Sequence, residues 1–487
     1  MGTSTDKVQR ATIMSNEVNQ RLQRVINNIK SQTAFNNQYS QPKTLAERMA
    51  ELHTPAVSLA IIDDYEVTAV GSFGFGESGD TTPVTQDSLF LAGSISKPVF
   101  AAAVMVLVQQ GQIDLDEDIN HYLSSWKIPQ SNGWQPRITL RQLLSHTSGL
   151  TVHGFPGYQT TEAIPTIQQI LNGERPSNTP KVEANILPGM QFRYSGGGTT
   201  VAQLAIIDHL KEPFPALMKR LVFEPLGMHN STFDNPLLST ALSMATVAHP
   251  WKGIPLKGGH HIYPEMAAAG LWSTATDLAT FGIALQNGLR GEEATFLNKA
   301  SLDAMLSPQL AQDKDASDFV SLGFFCGGKD QNAFFRHGGW DEGFVAELVL
   351  SRHLGRGVVV MINSNEGHPL LAEILDAVAE EFNWPRSDEK KTVVQLPDLD
   401  AYTGHFETAH SHQFNIETAT GGLHLKYDAQ LPVFFEASSE TSFFSRELNT
   451  ELNFKRNDDG QVTAVSVKQA NARFEATKRE LRGQQFK

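Results

Sequence analysis

The chain of 487 residues has one cysteine, an excess of acidic over basic residues, and no long apolar run. Its single cysteine, Cys326, excludes an intrachain disulfide and a cysteine-based metal cluster. The apolar neighbours of Cys326 predict an inert thiol in a buried strand. The formal net charge of −14 argues against nucleic acid and anionic membranes as partners, because both bind clusters of lysine and arginine.

The sequence also lacks the signals of export and of membrane insertion. Residues 1–19 are polar, without the apolar segment of a signal peptide, and the longest apolar run, residues 98–108, is too short to cross a bilayer. We therefore expect a cytoplasmic protein, or a periplasmic or secreted one if a signal peptide has been removed. The Gly-x-Ser-x-Gly elbow, the His-Glu-x-x-His zinc helix and the P-loop are missing too, and we expect no cofactor and no metal.

The composition is that of a globular protein, with 40% hydrophobic and 19% charged residues. A proline and a charged cluster after Trp384 indicate a domain boundary. We predict a first domain over residues 1–385, a linker over 386–391 and a second domain over 392–487. The second domain shows about eight short alternating runs with hairpin signals such as Gly421-Gly422 and Asp459-Gly460, which favour a small antiparallel barrel or sandwich.

The motif Ser94-Ile95-Ser96-Lys97 has the residue types of a nucleophile and a base. Positions i and i+3 share one face of a helix, so the Ser94 hydroxyl and the Lys97 amine would lie side by side, as acyl transfer through a serine ester requires. Four other Ser-x-x-Lys matches begin at residues 4, 40, 124 and 387 and fit solvated polar segments. Only Ser94 is followed directly by an apolar helix, and Pro98 places the start of that helix close to Ser94. Backbone N–H groups at such a start could stabilise an oxyanion.

Two further motifs carry residues suited to the same chemistry. Tyr194 precedes Ser195 and a glycine-rich turn, where its phenol could face a cleft and act as a general base if a nearby lysine ammonium lowered its pKa. The alternative is a packed tyrosine in a surface turn. His337-Gly338-Gly339 lies in a strand context, where glycines suit the close approach of a substrate acyl group along an edge strand. The alternative there is a tight loop with one polar histidine.

In order and spacing, these motifs resemble those of the class C β-lactamase/DD-peptidase superfamily of serine hydrolases, which includes family VIII carboxylesterases and D-aminopeptidases. The resemblance covers about residues 45–385 and includes residues 143–150 and 263–274. It implies a β-lactamase/DD-peptidase-like α/β (α+β) fold: an antiparallel sheet flanked by helices, plus a helical lobe, with Ser94 in the cleft between them. The region from about residue 392 is similar to the all-β, lipocalin-like barrels appended to some members.

The resemblance also implies a role for each motif residue. Ser94 would be the nucleophile, Lys97 would help to deprotonate it, and Tyr194 would be the general acid and base for the leaving group and the deacylating water. His337 would take the place of the lysine or histidine of the third motif, and the N–H groups of Ser94 and Trp340 would form the oxyanion hole. We expect His146 to position a loop. The predicted catalytic residues are Ser94, Lys97, Tyr194 and His337, and the predicted substrate and oxyanion residues are Gly338, Gly339, Trp340 and Gly196.

Two positions depart from the family pattern. Gly196 stands where the family usually has an asparagine that holds the substrate amide. His337 stands where β-lactamases usually have a lysine, so a positive charge for the substrate carboxylate is not assured at neutral pH. Both changes favour hydrolysis of small esters, or of amides and short peptides of D-amino acids. The alternatives are a β-lactamase or DD-carboxypeptidase and a non-catalytic scaffold that binds such ligands. We expect a small-molecule substrate, no nucleic acid and no membrane as partners, with a homo-oligomer possible through the barrel.

Overall fold

The computed structural model describes residues 19–31, 33–35, 38–39, 41–130, 133–292, 296–314, 316–384, 391–408, 413–427, 432–445, 450–469 and 472–479. The described residues fall into two compact units. The first unit contains residues 19–26 and 44–381, and the second contains residues 27–43 and the chain from residue 382 onward. The predicted linker, residues 386–391, lies outside the described residues except for its last position, so the predicted domain boundaries stay a prediction.

A fully antiparallel seven-stranded sheet forms the centre of the first unit. Its strands are β1 (Ala56–Asp63), β2 (Glu66–Gly74), β3 (Phe319–Val320), β4 (Phe325–Gly327), β5 (Phe334–Asp341), β6 (Phe344–Ser351) and β7 (Gly357–Ile362). They pair in the order β2, β1, β7, β6, β5, β4 and β3. Strands β1 and β7 lie inside the sheet and are almost entirely buried, as their apolar sequences require.

Helices flank this sheet and build the rest of the first unit. Helix α1 (Ser96–Gln109) is buried from Ser96 to Leu107, which explains why it is apolar on all sides. The other labelled helices are α2 (Gly196–Leu210), α3 (Met266–Ala269), α4 (Ala275–Arg290) and α5 (His368–Glu381), of which α4 and α5 pack on the sheet. The remaining α-helical segments are residues 19–26, Leu45–Glu51, Ile119–Tyr122, Leu140–Leu144, Ile167–Asn172, Phe214–Met218, Glu224–Leu226, Ser239–Leu242 and Lys299–Met305, with a π-helical turn at Lys219–Phe223.

The second unit is an up-and-down barrel of eight antiparallel strands, closed by pairing of its first and last strands. Phe406, Leu423, Phe443, Leu452 and Val465 are fully buried in its core. Both predicted hairpin signals lie at connections between barrel strands. The strands are β8 (Gly404–Thr408), β9 (Gln413–Ala419), β10 (Gly422–Lys426), β11 (Val433–Ala437), β12 (Ser442–Ser445), β13 (Thr450–Arg456), β14 (Val462–Gln469) and β15 (Ala472–Arg479).

A small three-stranded sheet also belongs to the second unit. Thr33–Phe35 pairs in parallel with Lys391–Val393 and antiparallel with Gln38–Tyr39. The sequence patterns did not indicate that residues 27–43 would group with the barrel. The antiparallel sheet flanked by helices and the closed barrel are confirmed. Within the described ranges, no helix combines the length and the apolar character needed to cross a bilayer.

Candidate active site

Ser94 lies in a single 3-10 turn, Gly93–Ile95, that leads directly into α1. Gly93 has a φ of +54°, a value that favours glycine, and the turn presents Ser94 half-buried among fully buried neighbours. We call residues 93–97 the nucleophile turn. The predicted start of the helix at Ser94 therefore agrees with the observed one to within two residues.

The Lys97 ammonium nitrogen contacts two oxygen atoms inside the protein. Lys97 Nζ lies 2.9 Å from Ser94 Oγ and donates a 2.7 Å hydrogen bond to the carbonyl oxygen of Ala268. The side chain is buried, and this desolvation lowers the pKa of Lys97 to about 7, against a smaller opposing effect of Asp341. About half of Lys97 is therefore unprotonated at pH 7 and able to accept the Ser94 proton.

Ser96 holds the nucleophile turn in place, a role that the motif alone did not reveal. Its hydroxyl donates to the Gly93 carbonyl oxygen at 2.6 Å and accepts from the Leu271 N–H at 3.0 Å. The Ser96 hydroxyl is buried, and it has a hydrogen-bond partner both as a donor and as an acceptor. The Ala268 carbonyl was also missed, because a backbone acceptor leaves no mark in the residue types.

The Tyr194 ring lies beside Lys97, with Lys97 Nζ 4.9 Å from the ring centroid. The rings of His146 and His153 lie 4.2 and 4.9 Å away between centroids, and the ring of Phe325 stacks at 6.4 Å. Desolvation raises the pKa of the Tyr194 phenol above its ordinary value, and the interaction with the Ser94 hydroxyl lowers it by less. The expectation of a lowered phenol pKa was therefore wrong, because burial outweighs the interaction with Ser94 and the charge of Asp341 raises the pKa further.

His146 fixes the backbone next to Tyr194. Its Nδ1 accepts a 3.1 Å hydrogen bond from the Ser195 N–H, so Nδ1 carries no proton. Burial lowers the pKa of His146 well below its ordinary value, which keeps the ring neutral. This contact positions the backbone beside Tyr194, in keeping with the positioning role expected of His146.

Strand β5 brings its glycines against the nucleophile turn. A Cβ on Gly339 would lie 2.0 Å from the Ala92 carbonyl oxygen, and a Cβ on Gly93 would lie 2.7 Å from the Trp340 nitrogen. Only glycine allows this approach, so the backbone N–H groups of Ser94 and Trp340 belong to touching segments. Strand β4 pairs with β5 only up to Arg336, which leaves the edge of β5 from His337 onward unpaired within the sheet.

Gly338 has more space for a side chain than Gly339 has. A Cβ on Gly338 would meet only the end of the Glu347 side chain, at 3.0 Å.

The Trp340 side chain is 39% exposed, and its Nε1 donates to Asn365 Oδ1 at 3.1 Å while its ring stacks on His368. The Trp340 backbone therefore lies against the nucleophile turn, and its ring is partly exposed at the surface.

His337 is buried and neutral. Its Nδ1 lies 2.6 Å from the Gly338 carbonyl oxygen, and since a carbonyl only accepts, Nδ1 carries the proton. Nε2 is then an acceptor, and it is buried without a hydrogen-bond partner in the described part of the chain. Desolvation, with Lys97 as the next cause, lowers the pKa of His337 to about 3. The ring centroid lies 6.3 Å from that of Tyr194.

Gly196 begins helix α2, where the space for a side chain is already filled. A Cβ there would lie 2.9 Å from the Phe155 ring and 3.1 Å from the His153 carbonyl oxygen. The Gly196 N–H also donates to that carbonyl at 2.9 Å. The loop that contains His153 and Phe155 thus occupies the position where an asparagine side chain would begin.

Two buried acids, Glu265 and Asp341, were not predicted, and the charge of Asp341 acts on Lys97. Glu265 is fully buried with neither carboxyl oxygen bonded, and Asp341 is 5% exposed with Oδ2 unbonded, across the described residues. Burial raises the pKa of Glu265 to about 8 and that of Asp341 well above its ordinary value. Cys326, by contrast, behaves as expected for an inert thiol: it is buried, burial raises its pKa to about 11, and it contacts the Ser321 hydroxyl.

Comparison with known proteins places this geometry in a family. The sequence model named Beta-lactamase matches residues 42–381, and a domain of unknown function, DUF3471, matches residues 388–485. Penicillin-binding protein 4* of Bacillus subtilis is 21% identical over 87% of this chain and 95% of its own. Esterase EstB of Burkholderia gladioli is 27% identical over 31% of this chain and 40% of its own.

Solved structures agree on the fold. The octameric penicillin-binding protein homologue from Pyrococcus abyssi superposes with a TM-score of 0.60 at 20% identity, over 88% of this chain and 98% of that one. SurE, solved with D-Leu, superposes with a TM-score of 0.57 at 20% identity, over 88% of this chain and 96% of that one. With the Beta-lactamase match extending over most of its length, the chain belongs to the beta-lactamase family, whose members are serine hydrolases.

Proposed function

We propose that the protein forms an acyl-enzyme on Ser94 and hydrolyses small carboxylic esters, or amides and short peptides of D-amino acids. The observation that carries this proposal is the contact of 2.9 Å between Lys97 Nζ and Ser94 Oγ, with a lysine pKa of about 7. A serine hydroxyl is a weak nucleophile unless a base beside it accepts its proton. Lys97 meets that requirement at neutral pH.

In the acylation step, Lys97 accepts the Ser94 proton while Ser94 Oγ bonds to the substrate carbonyl carbon. The N–H groups of Ser94 and Trp340 would hold the resulting oxyanion, an arrangement supported by the close packing of Gly93 against Trp340. The bond to the leaving group then breaks, and the leaving oxygen or nitrogen takes a proton from the Tyr194 phenol. The raised phenol pKa suits this role, since it keeps the proton on Tyr194 until it is needed.

In the deacylation step, a water molecule attacks the ester carbonyl carbon. Tyr194, left as phenolate after acylation, accepts the water proton, and the new C–O bond replaces the bond to Ser94. Ser94 Oγ recovers its proton from Lys97. The cycle returns Lys97 to its neutral form and Tyr194 to its protonated form.

The state of His337 and Gly196 supports esters and amides over β-lactams. A substrate carboxylate needs a cation or an N–H donor, whereas the free nitrogen of His337 is an acceptor on a neutral ring. The position of the amide-holding asparagine is occupied by the loop that contains Phe155. Two relatives, Esterase EstB and SurE, which was solved with D-Leu, are in keeping with this substrate class.

Two alternative functions would use the same site. A β-lactamase or DD-carboxypeptidase is in keeping with the penicillin-binding relatives, and a non-catalytic ligand-binding scaffold with the substitution at Gly196. A substrate panel of a p-nitrophenyl ester, D-alanyl p-nitroanilide and a chromogenic cephalosporin separates them. We expect turnover of the first two to exceed that of the third.

The Ser94→Ala variant tests the nucleophile, and Ser124→Ala is its matched control. Ser124-x-x-Lys127 has the same spacing, yet Ser124 Oγ accepts from Lys211 at 2.9 Å and Lys127 donates to backbone carbonyls. Ser94→Ala should abolish ester turnover and Ser124→Ala should leave it unchanged. Full ester hydrolysis by Ser94→Ala would refute the proposal. A lasting adduct on Ser94 without turnover would favour the scaffold.

Assembly and location remain predictions. We propose that the barrel unit mediates a homo-oligomer, in keeping with the octameric relative, and that the protein acts on a small-molecule substrate in the cytoplasm. Light scattering on the intact protein tests the assembly. A monomer at micromolar concentration would contradict it.

A further inference from the structure

The two N–H groups proposed to hold the oxyanion are supported by the fold in different ways. The Ser94 N–H belongs to the nucleophile turn, which continues into α1 and is bonded through the Ser96 hydroxyl. The Trp340 N–H lies near the end of β5, where β6 still pairs with the strand but β4 does not, because the β4 pairing ends at Arg336. The second N–H group therefore depends on contacts from outside the sheet.

The register of the β5–β6 hairpin directs the Trp340 N–H away from β6. The hairpin has a two-residue loop, and Asp341 and Phe344 form the pair next to that loop. In such a hairpin the pair next to the loop is hydrogen-bonded and the pair before it, here Trp340 and Val345, is not. The nucleophile turn lies on the open side, since a Cβ on Gly93 would lie 2.7 Å from the Trp340 nitrogen.

Asn365, in the loop after β7, contacts the end of this hairpin at two points. Its Oδ1 accepts hydrogen bonds from Trp340 Nε1 at 3.1 Å and from the Gly343 N–H at 3.0 Å. One donor precedes the hairpin loop and the other lies within it. Asn365 is itself anchored, because its N–H donates to the His249 carbonyl oxygen at 3.1 Å. A single side-chain oxygen thus joins the tryptophan ring to the hairpin loop.

The hairpin loop is also held by contacts that do not include Trp340. The Gly343 carbonyl oxygen accepts from the His249 N–H at 3.3 Å, and the Glu342 N–H donates to the Tyr263 hydroxyl at 3.2 Å. Gly343 has a φ of +78°, and a Cβ there would lie 2.5 Å from the His249 nitrogen, so only glycine fits. The loop therefore keeps its place without Asn365.

The orientation of Trp340, by contrast, depends on Asn365. The Trp340 ring stacks on His368 at 5.2 Å between ring centroids, and stacking alone lets a ring turn within its plane. The hydrogen bond from Nε1 to Asn365 fixes the direction of the indole, whose N–H is its only polar group.

We propose that Asn365 is a positioning residue that aligns the Trp340 N–H with the oxyanion. This inference rests on the proposed function, in which that N–H holds the oxyanion. Loss of a whole oxyanion donor lowers kcat by about 10²–10³-fold, and misalignment forfeits part of that effect, so we expect a loss of about tenfold. The loss should fall on kcat and not on KM, because the oxyanion forms only after the substrate is bound.

Substitutions of Asn365 test the inference with p-nitrophenyl butyrate. Asn365→Leu removes both acceptor contacts and should lower kcat about tenfold with KM within about twofold, whereas Asn365→Asp keeps an acceptor oxygen and should stay within about threefold of wild type. Rates are divided by the concentration of Ser94 that a fluorophosphonate labels to completion. Asn172→Leu is the matched control, because Asn172 Oδ1 accepts from Trp126 Nε1 at 2.8 Å, and it should leave kcat unchanged.

A boronic acid, which forms a tetrahedral adduct on a serine hydroxyl, separates positioning from a structural role. Its Ki should rise about tenfold in Asn365→Leu, by the same factor as kcat falls. A lowered Tm with an unchanged Ki would contradict the inference. Trp340→Phe removes the indole N–H and should lower kcat about threefold or more, and its effect should not add to that of Asn365→Leu in the double variant. Additive losses would contradict the inference too.

The outcomes for this inference and for the proposed function are distinguishable. If Asn365→Leu hydrolyses the ester as the wild type does, while Ser94→Ala does not, the inference is overturned and the proposed function stands. If the wild type hydrolyses no ester, the proposed function fails, and the boronic acid decides the inference: weaker binding to Asn365→Leu supports it and equal binding overturns it. If Asn365→Leu does not fold, Trp340→Phe decides it, and wild-type kcat and Ki in that variant overturn the inference.

Discussion

The nucleophile turn and the two buried acids, Glu265 and Asp341, differ in how their polar atoms are bonded. In the turn, Ser96 has two buried hydrogen bonds and Lys97 contacts both Ser94 and a backbone carbonyl. In the two acids, three buried oxygens have no hydrogen-bond partner in the described part of the protein. A fully bonded turn holds its geometry before substrate arrives, as preorganised catalysis requires. The comparison shows that the hydrogen bonds of the site are concentrated on the residues of the nucleophile turn.

Lys97→Ala should have the largest effect on activity of the substitutions at and around the nucleophile turn. Loss of the base should lower kcat for a p-nitrophenyl ester by about 10³–10⁴-fold, at the upper end of general-base effects. Stopped-flow or steady-state assays measure it. Lys127→Ala is the matched control, because its amine donates to the Asn120 carbonyl and lies in the other Ser-x-x-Lys segment. Comparable activity in the two variants would remove Lys97 from the mechanism.

Gly339→Ala tests whether β5 must touch the nucleophile turn. The new methyl would meet the Ala92 carbonyl at 2.0 Å, so we expect a loss of activity of about 10²-fold and of stability of at least about 2 kcal/mol. Gly338→Ala meets one carboxylate oxygen of Glu347, at 3.0 Å, and should cost less than about 1 kcal/mol. Denaturant unfolding and ester assays compare them. The reverse order of effects would refute the packing argument.

Tyr194→Phe keeps the ring between His146 and Phe325 and removes only the hydroxyl. We expect kcat to fall about 10²-fold for an anilide, whose poor leaving group needs a proton, and less for a p-nitrophenyl ester. The ratio of the two losses is the measurement. An equal loss on both substrates would mean that Tyr194 does not protonate the leaving group.

The pH dependence of kcat/KM should follow the titration of Lys97 and not that of His337. Lys97 must be neutral to act, and its pKa is about 7, so kcat/KM should fall about tenfold per unit as pH drops below 7. The pKa of His337 is about 3, which places its titration outside this window. A His337→Gln variant should be less active but should keep the fall in kcat/KM below pH 7. If that fall disappeared in the variant, it would be assigned to His337.

The sequence predicted the parts of the site that lie in motifs and missed those that depend on tertiary contacts. Ser94, Lys97, Tyr194 and His337 could be found because each stands in a spaced motif. Glu265 and Asp341 could not be found, since a lone Glu265 in an apolar segment carries no sign of whether a partner faces it. The direction of the Tyr194 pKa was wrong for a related reason: burial is a property of the whole fold.

The fold shows the same division. The barrel was predictable from alternating runs and hairpin glycines, because strand period and turn chemistry are local. The pairing of Thr33–Phe35 with Lys391–Val393 joins segments far apart in sequence and has no local signal.

The central claim is that Ser94 receives the acyl group. Rapid quenching of the protein with a p-nitrophenyl ester, followed by intact-mass measurement and peptide mapping, tests it directly. The account predicts a mass increase equal to one acyl group, located on Ser94, formed at the rate of the p-nitrophenol burst and absent from Ser94→Ala. An adduct on another residue, or steady hydrolysis in Ser94→Ala at the wild-type rate, would contradict it.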